Sequence, residues 1–238
     1  VSGDGAFTMA AWVSRSSLLL SDGDFEATEM HTLASFTSSV PFKPVMRWAG
    51  EMVFTGSTFV DGGREPRLDL GKSFSMAMSI RFSGECDPAG SKIMAKGGCG
   101  GYALGIASKE GVCGHLFLGC QCNQCTGGGT MIQIPQALVP MIWYDVVAIY
   151  DDNLKEASIY IDGQLVIKET RDFSGADNAE SPLFIGANNA NSERFRGNLR
   201  DMSLFDYALT DPSSTIMTQI PSRLVGRAID LNAGSGDD

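Results

Sequence analysis

The chain has 238 residues, 43% of them hydrophobic, and a formal net charge of −10. Its Lys and Arg residues are scattered, so it lacks the basic footprint that nucleic acid or an anionic membrane surface requires. No stretch reaches the roughly 20 apolar residues of a membrane span. With those partners set aside, the acidity fits solubility or a role in cation binding.

The chain opens on Val1 rather than Met, which reads as a processed or trimmed N-terminus. Residues 1–47 show only weak periodicity and are expected to form an N-terminal extension or arm. From Glu51 onward, short apolar runs alternate with turn signals at the spacing of an all-β fold. Strands are predicted at 74–82, 92–96, 102–107, 115–119, 183–186 and 199–205. The run 143–150 leads through Asp151-Asp152-Asn153 into 157–161, then through Asp162-Gly163 into 164–167. Asp-Gly between two strand-like runs predicts a hairpin with a type I′ turn. The region 211–238 is expected to hold a short helix at 213–219, capped by Thr210, and then a flexible Gly/Ser/Asp tail.

All six cysteines, Cys86, Cys99, Cys113, Cys120, Cys122 and Cys125, lie in one Gly-rich window. An even number in such loops favours disulfides made in an oxidising, secreted or lumenal compartment. The rival is a zinc site using Cys113, His115 and the last three cysteines. The Cys-x-Cys-x-x-Cys spacing fits poorly the paired knuckles of structural zinc. Spacing leaves the connectivity open.

Many antiparallel strands without alternating helices predict an all-β fold, a two-sheet antiparallel β-sandwich of jelly-roll type. Particular stretches resemble a known family. Met52-Val53-Phe54-Thr55-Gly56-Ser57-Thr58-Phe59-Val60, running on to Leu68-Asp69-Leu70-Gly71, is similar to an opening strand pair. Phe74-Ser75-Met76-Ala77-Met78-Ser79-Ile80-Arg81-Phe82 is similar to the buried strand that follows. Trp143 to Asp151 with Ser158 to Val166, Leu183-Phe184-Ile185-Gly186-Ala187, Phe195 to Phe205 and Tyr207-Ala208-Leu209-Thr210 continue the pattern. Together they resemble the laminin-G-like jelly roll of the concanavalin A-like lectin/glucanase superfamily. The unit is placed at 48–210, with the Cys-rich window 86–125 departing from the pattern as a loop insertion.

That resemblance implies a non-enzymatic binding or adhesion module that recognises glycan or protein through rim loops. It also implies calcium, with Asp61, Asp151, Asp152 and Asn153 as candidate oxygen ligands. For a sugar, aromatic platforms flanked by amides are expected: Tyr102 and Phe195 with Asn188, Asn189 and Asn191, and Trp48 as a further platform. Two alternatives stand beside this. One is a structural subunit of a larger extracellular or lumenal assembly, joined through the N-terminal arm. The other is a laminarinase-type glycoside hydrolase. The hydrolase needs paired carboxyls on alternate strand positions. Glu85-Cys86-Asp87 runs straight into Pro88, and Asp22, Asp24 and Glu26 alternate only outside the matched strands. Neither His31 nor His115 adjoins a nucleophile motif, and the glycine runs 97–101 and 127–129 lack the Lys-Ser/Thr of a phosphate loop.

Overall fold

The computed structural model describes residues 44–70, 72–97, 101–119, 131–173, 181–189 and 192–210. The N-terminal arm up to residue 43, Cys99, Cys120, Cys122, Cys125, Asn191 and the helix and tail after residue 210 lie outside the described residues. Twelve strands are described: β1 (Met46–Thr55), β2 (Val60–Asp61), β3 (Phe74–Phe82), β4 (Ser91–Lys96), β5 (Tyr102–Lys109), β6 (Val112–Gly119), β7 (Met131–Gln133), β8 (Tyr144–Asp151), β9 (Glu156–Ile161), β10 (Gln164–Thr170), β11 (Leu183–Ile185) and β12 (Arg196–Phe205). A single 3-10 turn spans Pro66–Leu68. Among the described residues no helix is long and apolar enough to cross a membrane.

The strands form two six-stranded antiparallel sheets. Sheet A has the order β1-β12-β3-β8-β9-β10, and sheet B the order β2-β11-β4-β5-β6-β7. The β8-β9-β10 meander expected from sequence is present. At its tight turn Asp162 and Gly163 have φ of 50° and 78°, as a type I′ turn requires. Three features differ from expectation. The opening pair is split between layers, β1 pairing with β12 and β2 with β11. The window expected as an insertion at 86–125 carries β4, β5 and β6, which lie side by side within sheet B. Strand β7 has only three residues and too short a pattern to be seen in sequence.

Alternation builds the core between the layers. Met76, Met78, Ile80 and Phe82 of β3 face inward with Leu199, Met202 and Leu204 of β12. They meet Met94, Leu104, Ile106, Leu116 and Leu118 from sheet B in one cluster. Burying each such side chain stabilises the fold by about 1.5–3 kcal/mol before entropy is counted.

Strand β12 carries the feature that matters most for its outer face. Arg200 pairs with Ser79 but Ser203 pairs with Ala77, so β12 has one residue more than β3 at this point. Asp201 absorbs it with φ of 53°. The bulge changes parity along the strand: Leu199 and Met202 both point inward, and Arg200 and Ser203 both point out.

The outer face of sheet A is thereby divided. In one half Ala77, Val147, Ile149 and Phe205 make a small apolar cluster with Leu209, flanked by Tyr207. The chain returns over this half as a strap. Ser75 Oγ donates to the Tyr207 carbonyl (2.9 Å) and accepts from the Leu209 N–H (3.0 Å).

A Cys86–Cys113 disulfide ties the β3–β4 loop to the start of β6, with Cα atoms 5.8 Å apart. Two backbone bonds stitch the β7–β8 connection to the same end: Leu138 N–H to Gly114 C=O and Met141 N–H to Phe82 C=O.

Replacing Asp201 by Val should cost about 1–2 kcal/mol, because a β-branched residue resists the left-handed region, and Asp201→Gly should be tolerated. Urea unfolding of the two variants checks this. Replacing Cys86 and Cys113 together by Ala should lower stability by about 2–4 kcal/mol, the usual worth of such a cross-link. The readout is the urea midpoint at native concentration of the intact protein, with any remaining cysteines left in place.

Candidate functional site

Beyond the strap, the outer face of sheet A is polar. Pairing registers set eight side chains there in two rows across four neighbouring strands. The first row is Glu51, Arg200, Ser79 and Asp145, contributed by β1, β12, β3 and β8. The second is Val53, Asn198, Arg81 and Trp143, the last standing two residues before Asp145. Sequence places each of them on alternate positions of strands whose intervening residues are apolar, which is why they leave the core together.

The electrostatics are built around Trp143. The Arg200 guanidinium carbon lies 4.2 Å from the centroid of the indole and that of Arg81 lies 5.0 Å from it. Such contacts are worth about 0.5–1 kcal/mol each when exposed. Arg81 also meets Glu51 (3.5 Å), with side chains 31% and 45% exposed. Glu51 Oε1 accepts a bond from Asn198 Nδ2 (2.6 Å), and Asp145 Oδ1 accepts one from Ser79 Oγ (2.6 Å). Arg200 has no carboxylate partner among the described residues. The Nε–H groups of both arginines are buried without an acceptor among the described residues. Opposite charges therefore alternate over one face, with guanidinium, carboxylate and amide groups held at fixed spacings.

The aromatic residues expected as platforms sit elsewhere. Tyr102 is 2% exposed, and its hydroxyl donates to the Leu68 carbonyl (3.0 Å). Burial, with Asp69 nearby, drives its phenol far above the usual range. Phe195 is 1% exposed and packs edge-on against Phe54. Both are core residues, so neither can stack on a ligand. Trp48 packs against the same core. Asn188 and Asn189 lie in the loop that feeds β12, where Asn188 Nδ2 bonds Glu193 Oε1 (3.1 Å) and Asn189 bridges to Ser192. That loop enters β12 at the end nearest Asn198 and Arg200.

The candidate cation ligands are dispersed. Asp61 is on β2 and accepts the Gly63 N–H (2.9 Å). Asp151, Asp152 and Asn153 share the β8–β9 turn, at the opposite end of β8 from Trp143. Asp151 Oδ1 closes that turn by accepting from Asn153 N–H (2.9 Å). Asp152 Oδ1 accepts from Tyr150 Oη (2.9 Å) and from the Lys155 ammonium (2.6 Å). Among the described residues no three His, Cys, Asp or Glu side chains converge as a metal group would require. Cys113 is committed to its disulfide with Cys86, and His115 Nδ1 bonds the Ile134 carbonyl oxygen (3.0 Å).

A family model described as "Concanavalin A-like lectin/glucanases superfamily" matches residues 54–213, about two-thirds of the chain. The chain belongs to the concanavalin A-like lectin/glucanases superfamily. Solved structures of similar fold align over most of it. The CBM40 of the Ruminococcus gnavus IT-sialidase bound to α2,3-sialyllactose superposes with a TM-score of 0.56 at 15% identity, covering 71% of this chain and 96% of that one. The NanB sialidase of Streptococcus pneumoniae gives 0.56 at 17% identity, covering 72% of this chain but only 28% of its own length. At these identities the likeness establishes the fold. Comparison with curated proteins gives no match.

Within the superfamily sandwich, the β8–β9 turn offers a titration test. Hydrogen bonding from Lys155, then from Tyr150, holds the Asp152 carboxyl below its ordinary value. A depressed carboxyl contributes stability above about pH 4 that is lost as pH falls through its folded pKa. Lys155→Ala should therefore raise the Asp152 pKa, and the stability gap between variant and parent should close in acid. Carbon-detected NMR titration and acid melts read the two effects.

Proposed function

We propose that the chain is a non-enzymatic carbohydrate-recognition module that holds its ligand on the polar half of the outer face of sheet A. The observation that carries this reading is the two-row array around Trp143. Saccharide hydroxyls need planar donors and acceptors at fixed positions. Arg81, Arg200, Asn198, Glu51 and Asp145 supply both kinds on one rigid sheet. Membership of a lectin-containing superfamily supports the reading, as does a structure of the same fold bound to sialyllactose. The Cys86–Cys113 cross-link supports a secreted or lumenal setting.

A glycoside hydrolase fits this face poorly. Glu51 and Asp145 stand three strand spacings apart, about 14 Å between backbones. Carboxyl pairs in glycosidases are about 5–9.5 Å apart. Glu85 is engaged by Arg196, and Asp87 caps its own turn through the Ala89 N–H. Calcium is not needed for this reading, since the Lys155 ammonium already sits on Asp152.

One observation favours a protein partner as a second reading. Val139, Met141 and Ile142 are 58%, 60% and 50% exposed on the rim beside Trp143. An apolar rim of this kind suits contact with another chain in a larger assembly.

Glycan-array screening should give selective binding that survives a calcium chelator, and Trp143→Ala should weaken it at least tenfold with the melting temperature little changed. An array without a single bound glycan, combined with self-association seen by light scattering, would favour the assembly reading instead.

A further inference from the structure

We infer that the ligand of this face carries a carboxylate, read by Arg200 with Arg81, and that Glu51 is its internal competitor. The inference rests on the carbohydrate reading above and sharpens it to acidic saccharides.

The Trp143 ring is contacted by two guanidinium groups, so the indole serves first to hold the arginines and not as a bare stacking platform for a pyranose. Arg81 and Arg200 are diagonal neighbours on β3 and β12, since Arg200 pairs with Ser79 and Asn198 with Arg81. Diagonal positions lie roughly 7–8 Å apart, within reach of one small ligand. Both Nε–H groups are buried and lack an acceptor among the described residues. A carboxylate arriving from solvent is met end-on by the two terminal Nη–H groups of a guanidinium, since both Nε–H groups are buried.

The two arginines differ in one respect. Arg81 already meets a carboxylate, that of Glu51, which Asn198 Nδ2 holds in place. Arg200 meets none among the described residues, and its contact is the indole ring. Arg200 is thus the open anion receptor, and Glu51 occupies for Arg81 the place a ligand carboxylate would take. The carboxylates of Glu51 and Asp145 also make the face unsuited to a polyanion, as does the charge of −10 over the chain. They suit a ligand with one negative group among hydroxyls, because a carboxylate accepts hydroxyl protons well.

The test is binding to matched pairs of saccharides: a uronate and its neutral parent sugar, sialyllactose and lactose, and a sulfated and an unsulfated disaccharide. Titration calorimetry on the full chain reads the affinities, with circular dichroism confirming that each variant is folded. The carboxylated member of a pair should bind at least tenfold tighter than its neutral partner. Arg200→Gln should erase that preference. Arg200→Lys, which keeps the charge and loses the fork, should weaken it about tenfold. Glu51→Gln should tighten binding of the carboxylated ligand several-fold by removing the competitor. Equal binding of neutral and acidic members, unchanged in Arg200→Gln, overturns the inference and leaves the carbohydrate reading standing. Binding of the sulfated member alone also overturns it. Absence of binding to every saccharide overturns both.

Discussion

One extra residue in β12 decides what this protein shows to its surroundings. Side chains of a strand alternate between faces, so a slip of one position exchanges inside for outside. Without the bulge at Asp201, the parity that puts Ser203 and Phe205 on the outer face would carry Leu199 out and turn Arg200 in. With it, Leu199, Met202 and Leu204 all enter the core, and Arg200 and Asn198 stand beside Arg81. A buried, unpaired arginine would be far costlier than the local backbone strain. The burial of three apolar side chains and the exposure of one cation thus favour the same register.

Around that register the fold supplies rigidity where an array of charges needs it. Four hydrogen-bonded strands fix the lateral spacing, and the Cys86–Cys113 link and the Met141–Phe82 backbone bond pin the loops at the adjoining rim. The same end receives the loop containing Asn188 and Asn189. Opposite charges in near contact neutralise one another, which lets a strongly acidic chain keep two arginines available without a basic patch. Groups fixed before a ligand arrives lose little freedom on binding, and that is where recognition surfaces gain affinity.

Much of the architecture was legible in the sequence. The Asp162-Gly163 hairpin, the long runs of β3 and β8, and the all-β class follow from period-two patterns and turn chemistry. The site was harder to read because its residues come from four strands and only register brings them together. Tyr102 and Phe195 looked like platforms because each is an aromatic near glycine or asparagine, yet both fall on inward positions. Trp143 read as one more apolar residue of a buried strand. A signal for the bulge did exist: Leu199, Met202 and Leu204 are spaced by three and then by two, where an unbroken strand would keep a spacing of two. The disulfide partner of Cys86 depended on the β3–β4 loop folding over the start of β6, which spacing alone cannot reveal among many connectivities.

The strap from Tyr207 to Leu209 has a consequence for how much of the chain is needed. It contributes no residue to the polar array, but it roofs Ala77, Val147, Ile149 and Phe205. A fragment ending at Phe205 would retain all twelve described strands and every charged group of the polar array. It would also bare a flat oily strip in the middle of a sheet, directly alongside the arginines. Such a fragment would be stickier toward apolar surfaces, so the natural boundary of the folded unit lies past Leu209 and not at the end of its last strand.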